Sequence, residues 1–210
     1  MKKLILPLIA LTMMLAPTKS NAQAIGEGKI IVDGYYGFPN LYTAVFKSAY
    51  SNASGTGLTF GSAGPLGLRA EYLISDKVGF GIDLGMNSSS ISYSQASTTG
   101  YDVNNNPILV TYDYKFTTKK IGAMVTFNYH FVESDKFDAY FVTGLGYGNR
   151  SMKFTSTDPL YSTPTVNSLV PVSAKLGVGM RYFFTENIGA NLGLGLGQGG
   201  LVNVGITAKF

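Results

Sequence analysis

Along most of this chain apolar residues occupy every second position. In segment 201–210, Val202, Val204, Ile206, Ala208 and Phe210 alternate with Asn203, Gly205, Thr207 and Lys209. Just before it, Ile188, Ala190, Leu192, Leu194 and Leu196 alternate with Gly189, Asn191, Gly193 and Gly195. A period of two places successive side chains on opposite faces of a strand, one face apolar and the other not. The same alternation runs through 172–184, 121–131, 78–86, 66–74 and 29–38. Segment 137–148 is less regular, because Tyr140 and Val142 are as apolar as Ala139 and Phe141. Its odd positions are assigned outward, so that Gly144, Gly146 and Gly148 join the glycine-rich face. Beyond residue 24 no stretch keeps a helical period, and 40–64 reads as a loop.

These segments predict eight strands joined by connections of alternating length. The links 75–77, 133–136 and 185–187 are tight and polar, whereas 40–64, 96–107 and 157–169 are long and 198–200 is short. Short turns at one end and longer loops at the other suit a barrel that crosses a membrane. Each strand supplies about ten alternating residues, enough for a tilted strand to span a bilayer. An open sheet edge in hydrocarbon would leave backbone groups unsatisfied, so the sheet must close. The expected fold is therefore all-β, an eight-stranded antiparallel up-and-down transmembrane β-barrel.

Charge sorts by face. Asp33, Arg69, Glu71, Asp83, Lys175, Arg181 and Lys209 all fall opposite the apolar positions of their strands. Slipping a strand by one residue would turn its charges toward lipid, at roughly 2–4 kcal/mol for each mid-bilayer Arg or Lys. A barrel of eight strands has an interior just wide enough to be filled by side chains. The seven residues are thus expected to form a paired network that plugs the lumen. Outward aromatics gather toward the short turns (Tyr72, Phe80, Tyr129, Phe131, Phe141, Tyr182, Phe184, Phe210), with Tyr36, Phe38 and Tyr147 toward the loops, the pattern of two interfacial girdles.

Composition narrows the chemistry. Of 210 residues 13% are charged and none is cysteine, which excludes a disulfide scaffold, a thiolate metal site and a cysteine nucleophile. Residues 1–24 read as a secretory signal, with Lys2 and Lys3 before an apolar run and Ala22-Gln23-Ala24 as cleavage site, leaving 25–210 as the barrel domain. Its removal takes Lys2, Lys3 and Lys19, so 13 basic residues (16 − 3) face 12 acidic ones and net charge falls from +4 to +1. That removes the basic patch a nucleic-acid partner would need.

The residues offer little for catalysis. The single histidine, His130, faces the lumen near a short turn, far from the outer leaflet, and reads as a hydrogen-bonding group. Asp83 and Glu71 read as ion-pair partners of Arg69, Lys175 and Arg181, not as an acid–base pair. Gly193-x-Gly195-x-Gly197 lies inside a strand with no helix after it, so it is no nucleotide loop. Asp102, Asn104, Asn105 and Asn106 lack the spacing of a calcium loop and read as a polar hairpin tip. Neither cofactor nor metal is expected.

One pattern breaks the rule. Above Met86 the apolar residues change face: Ile91 and Tyr93 take lumen positions, as do Tyr112, Tyr114 and Phe116 on the next strand. The third and fourth strands therefore continue past the membrane as a hairpin with an aromatic face over the barrel mouth. Two accounts fit. Loop 40–64, with Tyr42, Phe46, Tyr50 and Phe60, packs on that face as a cap, or the hairpin recognises a partner by strand addition with aromatic anchors.

The signal segment, the runs Gly144-Leu145-Gly146-Tyr147-Gly148 and 192–197, and the last strand ending on Phe210 resemble those of small outer-membrane barrels of the OmpX and OmpA-transmembrane type, in particular the outer membrane protein beta-barrel domain group. The resemblance spans about 29–210. It implies a Gram-negative outer-membrane location, a lipid environment, a monomer, and recognition of the last strand and Phe210 by the barrel-assembly machinery. For function it implies a non-enzymatic structural or surface-interaction protein acting through its extracellular loops. The alternative is a narrow conduit or binding site for a small apolar molecule.

Overall fold

A computed structural model describes residues 24–50, 57–132, 134–161, 164–167, 170–198 and 200–210. All but the last residue of the segment read as a signal lies outside them. The strands are β1 (Ile30–Phe38), β2 (Thr59–Ser75), β3 (Val78–Tyr101), β4 (Pro107–His130), β5 (Phe137–Ser156), β6 (Thr165–Asn167), β7 (Val172–Phe183), β8 (Ile188–Leu196) and β9 (Val202–Lys209), and one helix, α1 (Leu41–Ala49), follows β1. Every pairing is antiparallel. The order β4-β3-β2-β1-β9-β8-β7-β5 closes on itself through β4–β5, and β6 lies outside the ring as a short addition to β5. Eight strands thus form a barrel whose first and last strands are sealed from Ile31 opposite Lys209 to Phe38 opposite Val202.

The two faces follow the alternation. Outward positions carry Ile82, Val125, Leu145, Leu176 and Ile206, all more than half exposed, while inward neighbours such as Asp83, Thr126 and Thr207 are fully buried. A continuous apolar belt of this extent would be an aggregation surface in water. Against acyl chains it is the solvated face. Among the described residues no helix is long and apolar enough to cross a membrane; the strands do so. On β5 the odd residues Phe141, Leu145 and Tyr147 face out, and Tyr140 and Val142 are buried.

Several elements differ from the sequence reading. β3 and β4 run 24 residues each, and β2 starts at Thr59, inside the stretch read as loop. Helix α1 was not expected. Asn40 caps it by accepting hydrogen bonds from the Tyr42 and Thr43 amides, and Lys47 lies in its last turn. It escapes a periodicity search because it is nine residues long and buries one of them, Thr43, so no wide apolar stripe forms. Its anchorage is polar: Thr43 Oγ1 donates to Ser89 Oγ at 2.8 Å, and Asn40 Nδ2 donates to Asn87 Oδ1 at 2.6 Å. Asn87 and Ser89 point inward from β3, so these bonds hold α1 across the loop-side mouth of the barrel.

Candidate functional site

The barrel interior is built on Arg181. From β7 its Nε and Nη2 reach Asp33 on β1 at 3.1 and 2.8 Å, Nη2 also reaches Glu71 on β2 at 2.7 Å, and Nη1 reaches Asp138 on β5 at 2.9 Å. Arg69 lies above it, 3.4 Å from Asp33 and 3.5 Å from Asp83, donating also to the Tyr140 hydroxyl at 2.6 Å. Asp83 receives Lys175 Nζ at 2.5 Å and the Tyr35 hydroxyl at 2.7 Å. Below, His130 is clamped between carboxylates, with Nδ1 2.7 Å from Asp138 and Nε2 2.8 Å from Glu71. Making both contacts as hydrogen bonds requires a proton on each ring nitrogen.

Strand alternation explains why these groups meet. Asp33, Arg69 and Asp83 are direct register partners across β1, β2 and β3, so three inward charges of alternating sign sit side by side. Inward glycines supply the remaining space. A side chain at Gly67 would occupy the volume of the Tyr35 ring, and one at Gly179 that of the Tyr140 ring. Both tyrosines therefore lie across the lumen, where each hydroxyl meets the charge layer and Arg181 stacks 4.2 Å from the Tyr140 ring centre. Nearly every group in the layer is buried yet partnered, the condition under which buried charge is tolerable.

Six of the seven charges singled out in the sequence, Asp33, Arg69, Glu71, Asp83, Lys175 and Arg181, come together here. Lys209 does not. Its Nζ donates to the Ala24 carbonyl at 2.6 Å and sits 4.9 Å from the Phe183 ring, at the short-turn end. Asp138, Tyr35 and Tyr140 belong to the network and were not singled out. Tyr140 and Asp138 share the parity of Gly144, so assigning the even face of β5 inward already contained them.

The five hairpin residues turn inward and form a second layer under the cap. Ile91 and Tyr114 are buried; Tyr93 stacks on Tyr114 at 5.1 Å, and Phe46 of α1 meets Phe116 at 5.8 Å. Tyr161 closes on Tyr114 at 5.6 Å, and the Tyr114 hydroxyl donates to Asp158 at 3.0 Å. Tyr112 faces the same way and is half-buried. These aromatics pack within the protein and are not presented to solvent as anchors.

At the hairpin tip Asp102 accepts from the Asn104 and Asn106 amides, each at 2.8 Å, and from Asn106 Nδ2 at 3.0 Å. These bonds hold its carboxyl below the ordinary Asp range, the Asn106 amide contributing most. Its oxygens serve the turn itself, and among the described residues no cluster of acidic or histidine side chains suited to a metal is found. Phe210 is exposed on the outer rim, its backbone paired with Ile30 in both directions at 3.1 and 2.8 Å.

Comparison with solved structures finds several small outer-membrane barrels. The chain is similar to the N-terminal β-barrel domain of Pseudomonas aeruginosa OprF, at 17% identity over 89% of this chain and 100% of that one, with TM-score 0.46. It is likewise similar to Pseudomonas aeruginosa OprG, at 12% identity over 90% and 99% with TM-score 0.47, and to Ail, the attachment invasion locus protein of Yersinia pestis, at 14% over 88% and 99% with TM-score 0.39. No curated protein matches the sequence. The model of the outer membrane protein beta-barrel domain matches residues 7–200. With its closed antiparallel ring, apolar outer belt and charged interior, the chain belongs to the outer membrane protein beta-barrel domain family and resides in the outer membrane.

Proposed function

We propose that this outer-membrane barrel is a non-enzymatic, monomeric surface-interaction protein whose recognition element is the tip of the β3–β4 hairpin. The observation that carries the reading is a pair of open strand edges. β2 pairs with β3 only as far as Ser92, and the β5 side engages β4 only as far as Asp113, whose carbonyl accepts from the Thr157 amide. Beyond those points β3 and β4 pair with each other up to Tyr101 opposite Pro107. Among the described residues, the hairpin thus stands above the wall with unpaired backbone on both sides. Its tip exposes Tyr101, Val103, Ile108 and Leu109. An uncovered edge flanked by apolar side chains suits addition of a partner's strand. This moves the anchors from Tyr93, Tyr112 and Tyr114, which face inward, to the tip.

Against a conduit for a small apolar molecule weighs the Arg69–Asp83–Lys175 layer, which any solute entering from the loop side would have to displace. Against catalysis weighs His130, whose nitrogens both face carboxylates, leaving neither to activate a nucleophile. Phe210, exposed at the end of β9, is the residue that the barrel-assembly machinery would read.

The test shortens the hairpin in register. Residues 95–112 are replaced by Asn-Gly between Ser94 and Asp113, which face each other across the ladder. The purified barrel is expected to bind intact cells or extracellular-matrix proteins, and the shortened form to lose that binding while keeping heat-modifiable migration. Equal binding by both forms would overturn the proposal.

A further inference from the structure

The charges of the barrel interior divide into two groups with different balance. In the lower group Asp33, Glu71, Asp83 and Asp138 face Arg69, Lys175, Arg181 and a His130 that donates from both nitrogens, four against four. The upper group lacks that symmetry. Lys120 and Arg150 are inward residues on β4 and β5 and direct register partners. Lys120 is 9% exposed, and among the described residues its ammonium makes a single hydrogen bond, to the Gly197 carbonyl at 3.1 Å. Arg150 is half-buried and lies 4.0 Å over the Tyr42 ring, donating to the Tyr42 hydroxyl. No carboxylate pairs with either among the described residues. The loop-side carboxylates Asp158 and Asp113 are engaged by Tyr114 and Ser94.

Two neutral donors accompany the cations. Ser173 Oγ and Gln198 Nε2 are buried and have no hydrogen-bond partner among the described residues. Ser173 Oγ and Lys120 Cε each lie 3.2 Å from the position a side chain at Gly148 would take. Gln198 follows Gly197, the acceptor of Lys120, and its side chain lies over Gly85 and Gly122. A buried ammonium with no counter-charge, beside a second cation that is half-buried, is costly, and so are buried donors with nothing to bond. One occupant removes both costs.

We infer that the upper lumen, beneath α1, binds a small tetrahedral oxyanion of the phosphate or sulfate class. Lys120 and Arg150 supply the charge; Ser173 and Gln198 supply the neutral hydrogen bonds. Two positive charges match a dianion, and Ser173 and Gln198 add one O–H and one N–H donor for its oxygens. The half-exposed Arg150 marks the entry, beside α1. The bound anion would tie β4, β5 and β7 to the loop after β8, fastening the region on which α1 rests.

The test uses the full chain in detergent micelles, titrated with inorganic phosphate and with sulfate. Binding is followed by the NMR shifts of the Gln198 side-chain amide and the Ser173 backbone amide. A saturable shift is expected with both anions and not with chloride at equal ionic strength. Lys120→Gln and Arg150→Gln should each weaken it by at least about tenfold, the loss expected of one charge-assisted hydrogen bond. Lys120→Arg, which keeps the charge, should retain it should the neutral variant fail to fold. Lys119→Gln is the control, because Lys119 is adjacent in sequence but exposed on the outer face. No saturable shift in the parent chain, equal affinity in Lys120→Gln, or loss in Lys119→Gln alone would overturn the inference.

Discussion

Arg181 and Asp33, 148 positions apart in sequence, meet inside the barrel through three hydrogen bonds, Nε to Oδ1 at 3.1 Å and to Oδ2 at 3.3 Å, and Nη2 to Oδ2 at 2.8 Å. The same guanidinium also serves Glu71 and Asp138, so one side chain from β7 joins β1, β2 and β5. Replacing it takes the shared guanidinium from three buried carboxylates, leaving Asp33 to Arg69 and both Glu71 and Asp138 to His130. Arg181→Met should lower the unfolding free energy by about 3–5 kcal/mol, the range for removing one partner of a buried pair. Urea unfolding of the refolded barrel measures this, and a loss below about 1 kcal/mol would show that the layer is not a structural unit.

Much of this architecture is legible in the sequence because a membrane barrel obeys a strict period of two. Asp33, Arg69 and Asp83 could be placed on one face, since a one-residue slip of their strands would put them in lipid. Strand extents above the membrane were harder, since water tolerates either parity and the outward face becomes Ser, Thr and Lys. Helix α1 was hidden because a nine-residue helix resting on polar contacts leaves no stripe. Tyr35 and Tyr140 were hidden for a different reason: which tyrosine crosses the lumen depends on a glycine on the neighbouring strand, Gly67 or Gly179.

The outward face should reject charge. Val125 sits on β4 facing lipid, 63% exposed, between Ile82 and Leu145 on the adjacent strands. Val125→Arg should destabilise the barrel by roughly 2–4 kcal/mol in a bilayer, with a smaller effect in a detergent micelle, whose surface adapts. Comparison of unfolding midpoints in the two media checks the direction.

Closure rests on a close approach at the seam. A side chain at Gly205 on β9 would run into the backbone of β1, 2.7 Å from the Tyr35 Cα, where no rotamer change can relieve it. Gly205→Val should therefore impair sealing of β1 to β9, while Thr143→Val, an outward change on β5, should not. Loss of heat-modifiable migration in the first variant and its retention in the second is the expected result.

The hairpin tip should respond to acid. The Asp102 carboxyl is held below its ordinary value, so its contribution to the turn is complete above about pH 4, the usual Asp value, and fades as pH falls through the lowered one. Amide-exchange protection of Asn104 and Asn106 should thus be steady at neutral pH and decline only in strong acid. Asp102→Ala should remove that protection at every pH.

Whether the interior is closed is most directly read as current across a planar bilayer containing refolded, heat-modifiable barrel. With Arg69, Asp83 and Lys175 spanning the lumen and α1 over its mouth, the membrane is expected to stay silent under applied voltage. Steady, ion-selective openings would contradict a plugged barrel and favour a conduit.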